Sequence, residues 1–158
     1  MDGAALFYGT AGCAACHSGE LMTDQDFHNL AIPHLVPRQE VKQCYLGRFN
    51  RTGDEADRYA HRTPPLRGVA QTGPWFHNGT FTTLDGVVRH HLDPAGSLAR
   101  YDASQLRADL RPYLRQDPAY AADATSRLPV ALAAPRALTD PQIAALAAFL
   151  ESLSDPAI

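Results

Sequence analysis

The chain has almost no lysine: of its 14 basic side chains in 158 residues one is Lys42, and 17 acids bring the formal charge to -3. No basic face collects phosphates, so nucleic acid is excluded as an expected partner. Runs of about 18 apolar residues are also missing, which excludes a membrane span. The start, Met1-Asp2-Gly3-Ala4-Ala5-Leu6, has neither the charged nor the apolar region of a secretory leader, so the chain as given reads as soluble. Alternating strand patterns are scarce. Methionine occurs twice, as Met1 and Met22, and cysteine three times, as Cys13, Cys16 and Cys44.

What is present suits one folded domain across residues 1–158. Hydrophobic residues make up 45% and charged residues 20%, ordinary values for a chain that buries a core. Glycine and proline, 11 and 12 residues, cluster in the middle, where long regular elements are hard to place. The expected class is therefore all-α, with few helices joined by long ordered loops. Ala4, Ala5, Leu6 and Phe7 suit a short helix running toward Gly12. Thr139-Asp140-Pro141-Gln142 has the form of a capping box, and Ile143, Leu146, Ala147, Leu150 and Leu153 then follow on one apolar stripe. The N-terminal helix is the expected cover for it. Thr83 is a good N-cap for a third helix through Leu84, Val87, Val88 and His91, ending near Asp93-Pro94. Residues 95–138 read as a loop-rich insertion with short helical turns around Ser104 to Leu110.

The informative motif is Cys13-Ala14-Ala15-Cys16-His17. Two thiols on one turn of chain match the two vinyl groups of haem, and the next residue brings an imidazole to the iron. A thioredoxin-like dithiol would need a βαβ setting, and structural zinc would need two further close ligands where only Cys44 remains. Covalent haem fits best, and it also supplies the core that proline-rich loops cannot make among themselves.

With His17 as the proximal ligand, the other axial position separates electron transfer from chemistry at an open iron. Met22 lies five residues after His17, too near to reach the opposite haem face. His28, His34, His61, His77, His90 and His91 remain, unless the site is open or takes a tyrosine. His91 continues the stripe of Leu84, Val87 and Val88, whereas His90 lies about 100° round the helix and is expected to face away. His77 is the rival, in the aromatic loop Pro74-Trp75-Phe76-His77-Asn78-Gly79. Its simpler role, like that of His28, is a hydrogen-bonded structural one.

The run from His61-Arg62-Thr63-Pro64-Pro65-Leu66-Arg67-Gly68 through Gly73-Pro74-Trp75-Phe76-His77-Asn78-Gly79-Thr80 to Leu84, with Thr23-Asp24-Gln25-Asp26-Phe27-His28-Asn29 and Thr52-Gly53-Asp54 upstream, resembles a known pattern. It is similar to the C-terminal haem domain of bacterial di-haem cytochrome c peroxidases and their MauG-like relatives. The likeness runs from about residue 3 to 93 and again from 139 to 153. It implies a cytochrome c-like domain with one haem c, passing or storing electrons for a peroxidatic haem in an N-terminal half that this chain does not resemble. The sixth ligand in that family comes from the helix after the aromatic loop, at the position of His91. Histidine there implies a low-spin, bis-histidine haem of lower potential than methionine gives. The resemblance further implies propionate contacts from Arg67 and Arg62. It also implies calcium between the two halves, partly on the carbonyls of Thr72 and Pro74, with the remaining ligand in the N-terminal half. His61 stands where an aromatic is usual and Gly68 where asparagine is usual. Cys44 has no counterpart and reads as a buried small apolar side chain.

Haem c attachment implies a periplasmic, extracytoplasmic protein, and the expected partner is a redox protein or second haem domain. Two alternatives belong to other classes. A peroxidase acting alone would need an open sixth position and an acid–base group above the iron, a role open to His77. A haem-based ligand sensor would need an accessible site that binds carbon monoxide or nitric oxide.

Overall fold

A computed structural model describes residues 2–36 and 46–154; Lys42 and Cys44 lie outside the described residues. Six α-helices occur among them: α1 (Gly3–Tyr8), α2 (Phe49–Thr52), α3 (Leu84–Leu92), α4 (Pro94–Ala99), α5 (Pro118–Ser126) and α6 (Asp140–Ser152). Four short strands, β1 (Phe27–Asn29), β2 (His34–Leu35), β3 (Ala60–Arg62) and β4 (Leu114–Arg115), form two antiparallel ladders, β1 with β3 and β2 with β4. In the first, His28 stands opposite His61. Ladders this short pin loops together without building a sheet layer, so the fold is helical in character. No helix among the described residues is long and apolar enough to cross a membrane.

Local chemistry sets the helix ends. Asp2 caps α1 by accepting from the Ala4 amide at 2.9 Å. The helix ends at Tyr8, short of the expected Gly12, as the Gly9 and Ala11 amides both turn back to the Leu6 carbonyl. Thr83 caps α3 through the Gly86 amide at 3.1 Å. At the start of α6 the Gln142 side chain accepts from the Thr139 amide at 2.8 Å, and Pro141 occupies the first turn, where its missing N–H costs nothing.

The main core lies where α1, α3 and α6 meet. Leu6 and Phe7 cover Ile143, Leu146 and Leu150, and Leu84, Val88 and Leu92 close the third side. Phe7 and Leu146 are each 1% exposed. Helices α1 and α6 approach so closely that a Cβ on Gly3 would overlap the Ala145 carbonyl oxygen. A second core gathers Ala31, Tyr59, Tyr120 and Ala124, with Leu46, Leu98 and Leu128 against them. It is tied by Asn29 donating to the Ala124 carbonyl at 2.7 Å and the Tyr120 hydroxyl donating to the Ile32 carbonyl at 2.6 Å. The segment 95–138 thus holds most of α4, all of α5 and half of a core, more order than its sequence suggests.

Candidate functional site

Between the main core and the aromatic loop lies a cavity of about 480 Å³. Its volume falls within the roughly 300–1,000 Å³ of small-molecule and cofactor sites. Phe7, Leu66, Val69, Val88 and Leu150 make apolar walls, and Cys13, Cys16, His17 and His91 all face it.

The cysteine segment is held by its own backbone. Gly12 adopts φ +69, a left-handed conformation that admits glycine without strain, and opens a 3-10 turn over Cys13–Ala15. The Cys13 carbonyl then accepts from the amides of Cys16 and His17, at 3.3 and 2.9 Å, which puts both thiols and the imidazole on one tight loop. Both thiols are free. Burial pushes the Cys13 thiol up to about 11 against the opposing pull of Arg136, and burial followed by Asp24 raises Cys16.

Each imidazole is oriented from behind. His17 Nδ1 donates to the Met22 carbonyl at 3.0 Å, and His91 Nδ1 donates to the Val87 carbonyl at 2.8 Å. A metal-binding histidine characteristically donates its second nitrogen in this way, which leaves Nε2 as the ligand atom. The two rings lie 6.4 Å apart, centre to centre, with planes at 62°. Two metal–imidazole bonds of about 2 Å, plus about 1 Å from each nitrogen to its ring centre, span roughly 6 Å. The spacing therefore fits one metal ion between them. Burial lowers His17, and it pushes His91 down to about 4, so both rings are neutral near pH 7, the form that binds metal.

The groups behind the imidazoles share a feature. Phe76 stacks on His91 with ring centres 5.3 Å apart and planes at 19°. Both Met22, at φ 53, and Phe76, at φ 63, sit in the left-handed region that side chains of their size avoid. Met22 is thus tied to His17 through its carbonyl, a role the sequence does not advertise.

His90 faces away from the cavity, as its helical phase predicts, but that side of the helix is buried too. It is 0% exposed, with Nε2 donating to the Leu30 carbonyl at 2.8 Å and Nδ1 paired with the Ser97 hydroxyl at 2.9 Å. Its ring also meets Phe76 and Phe81 at 5.2 and 5.1 Å. Both sides of α3 are covered, one by the cavity and one by α4 and the Leu30 segment, so helical phase separates the two histidines by partner and not by burial.

The other sequence candidates divide. His28 lines the cavity and pairs with Asp24 at 2.7 Å. His77 lines it and stacks on His61, 3.7 Å between centres and 9° between planes. His34 is buried beside Tyr120, outside this cavity. Arg62 faces the cavity, whereas Arg67 is exposed, donates to the Glu20 carbonyl at 3.1 Å and does not line it. Sequence reasoning missed Arg136. Its backbone amide donates to the Leu92 carbonyl at 2.8 Å and its guanidinium to the Ala131 carbonyl at 2.6 Å, so the side chain lies against Gly12 and along the cavity wall.

No protein-family model matches the chain. It is 36% identical over 118 residues to the cytochrome-c peroxidase IdrP1 of Denitromonas iodatirespirans, covering 60% of this chain and 31% of the relative. To the methylamine utilization protein MauG of Methylorubrum extorquens it is 38% identical over 90 residues, covering 57% of this chain and 24% of the relative. The chain therefore spans about a quarter to a third of the length of these curated relatives. Among solved structures, the diheme peroxidase BthA from Burkholderia thailandensis superposes with a TM-score of 0.71 at 25% identity, over 98% of this chain and 42% of that one.

Proposed function

From its kinship with the cytochrome c peroxidases and MauG, we propose that this chain is a c-type cytochrome domain with one covalent haem, serving electron transfer as the C-terminal half of a di-haem, peroxidase-type oxidoreductase. The observation that carries this reading is the pair of backbone-anchored imidazoles, 6.4 Å apart across a cavity that also receives both thiols. The residues fit the group. Cys13 and Cys16 would hold it by thioether bonds, and His17 and His91 would be the protein ligands of its iron. When bound, the haem supplies a one-electron couple whose potential the axial ligands and their surroundings set.

The chain's own contribution is orientation and exclusion of water. The Met22 and Val87 carbonyls fix both imidazole tautomers and raise the basicity of the ligating nitrogens. Two histidines with no methionine favour the oxidised state, so the expected potential is low. Phe76 stacks on His91 and lines the same cavity, and the apolar walls keep the surroundings of low dielectric. Among the described residues, Arg62 and Arg136 are the cations that line the cavity wall, placed to meet the haem propionates. The relay reading also places the protein outside the cytoplasm, where haem c is attached, with a redox protein or second haem domain as partner.

His91→Ala tests the assignment. The variant should keep covalent haem, and its ferric visible spectrum should change from low-spin to high-spin and become responsive to peroxide. A low-spin spectrum in the variant, with haem still attached, would transfer the sixth position to another residue, His77 first.

A further inference from the structure

The loop that carries the two thiols also closes a cluster of another kind. Among the described residues one trio of cysteine, acid and histidine converges: Cys16 Sγ, an Asp24 carboxylate oxygen and a His28 ring nitrogen all lie within 4.8 Å of one another. The three come from one short stretch of chain, and its backbone holds them there. The Asp24 amide donates to the Cys16 carbonyl at 2.8 Å, folding the Asp24 loop back on the cysteine turn. Asp24 Oδ1 accepts from the Asp26 amide at 2.9 Å, while Oδ2 meets His28 Nε2 at 2.7 Å. His28 is itself fixed in β1, opposite His61 on β3.

Sulfur, nitrogen and oxygen together are the donor set of zinc and its neighbours, whereas magnesium and calcium take oxygen alone. With metal bonds of about 2.3 Å to sulfur and about 2.1 Å to nitrogen and oxygen, ligand atoms on a tetrahedral ion stand roughly 3.4–3.6 Å apart. Shifts of about 1 Å therefore close the trio around one ion, which takes the place of the proton between His28 and Asp24. Thiolate and carboxylate bring two negative charges, equal to the charge of a divalent ion. Asp24 is exposed, and Cys16 and His28 are partly so, which gives the ion a path from solvent.

The Cys16 sulfur has two possible fates. As a thiolate it completes the trio; as a haem thioether it carries no charge and leaves the Asp24–His28 pair as the remaining strong donors. We propose that the haem-free chain binds one zinc-class divalent ion on Cys16, Asp24 and His28, and that this ion and covalent haem exclude each other at the Cys16 sulfur. Binding releases the thiol proton to solvent and moves no electron. The exclusion rests on the covalent haem reading above, whereas the ion site rests on the trio alone.

Titration of the full chain, produced without haem, with cobalt(II) tests this, because a thiolate-to-cobalt charge-transfer band reports sulfur ligation and calorimetry gives the affinity. One ion per chain and a clear band are expected. Asp24→Asn and His28→Gln should each bind at least about tenfold more weakly, the scale on which metal sites lose affinity when a supporting group is removed. Both side chains are 24% exposed, so neither change empties a core, and each variant is a second route if the other does not fold. Cys13→Ala should bind cobalt as wild type does, which separates the trio from chelation by the two thiols of the motif. The haem-loaded chain should bind at least about tenfold more weakly than the haem-free one. Cobalt held through the trio by a chain that takes no covalent haem would support the ion site and refute the haem reading, and the exclusion with it. Absence of the band, undiminished affinity in both Asp24→Asn and His28→Gln, loss of binding in Cys13→Ala, or equal affinity in the haem-loaded chain would overturn the proposal.

Discussion

Replacing His90 with leucine isolates how α3 is held at the angle that presents His91. The Leu30 carbonyl can only accept, so Nε2 carries the proton and Nδ1 accepts from Ser97. Leucine fills much of the same space between Phe76 and Phe81 but bonds to neither partner. Leaving the buried Leu30 carbonyl without its donor costs about 1–3 kcal/mol, and losing the Ser97 contact about 0.5–1.5 kcal/mol. The expected loss is about 3 kcal/mol, or roughly 10 °C in Tm for a chain of this size. Urea denaturation followed by far-UV circular dichroism measures it. Ser97→Ala alone should cost about 1 kcal/mol, and in the His90→Leu background almost nothing, because their shared bond is already gone. Haem-loaded His90→Leu should also show a high-spin fraction, since α3 no longer has one fixed position against the cavity. A loss below 1 kcal/mol for His90→Leu, or an undiminished Ser97→Ala effect in the double variant, would refute the clamp.

Two further outcomes follow from packing and charge. Leu146, 1% exposed between α1 and α6 and also on the cavity wall, should cost about 2–5 kcal/mol when cut to alanine, read as a fall in the urea midpoint; a cost below 1 kcal/mol would mean the helices collapse into the space. Burial alone would raise the Asp24 carboxyl, but hydrogen bonds from His28, the Asp26 amide and Thr63 outweigh it and hold it down at about 2. A depressed carboxyl stabilises the fold above its unfolded value of about 3.9, and that stability is lost as pH falls from there through about 2. Between pH 5 and pH 2.5, wild type should therefore lose about 1 kcal/mol more than Asp24→Asn, after allowance for solvent screening; equal losses would show that the carboxylate is not held by the fold.

Local chemistry was legible in the sequence wherever one short stretch sufficed to express it. The Cys13–His17 motif, the Thr83 cap and the Thr139–Gln142 box each depend on residues within a turn of one another; the structure closes the first as one tight turn and forms the two caps as read. That His90 turns away from the cavity was legible, but its burial was not, because helical phase assumed one covered face. The second cover comes from α4 and the core around Tyr120 and Ala124, whose segment alternates alanine, arginine and aspartate without a stripe. Ladders of two or three residues are too short to show alternation. Arg136 was invisible for a similar reason, since only the return of the chain to Leu92 carries it to Gly12.

Met22 shows the remaining gap, and with it how the site is organised. A search for side-chain ligands discards it, yet its carbonyl is what turns His17, and the backbone must enter the left-handed region to present that carbonyl. Phe76 does the same to lay its ring on His91. Conformations of this kind cost about 1–3 kcal/mol each and persist only where the surrounding structure over-determines them. Met22 is anchored by its own burial in the main core, and Phe76 by Phe81, His90 and the Gly79 amide. The two imidazoles are thus each held by a separate strained residue, and each of those is supported by a different part of the fold. Their 6.4 Å spacing follows from how those parts of the fold are placed relative to one another.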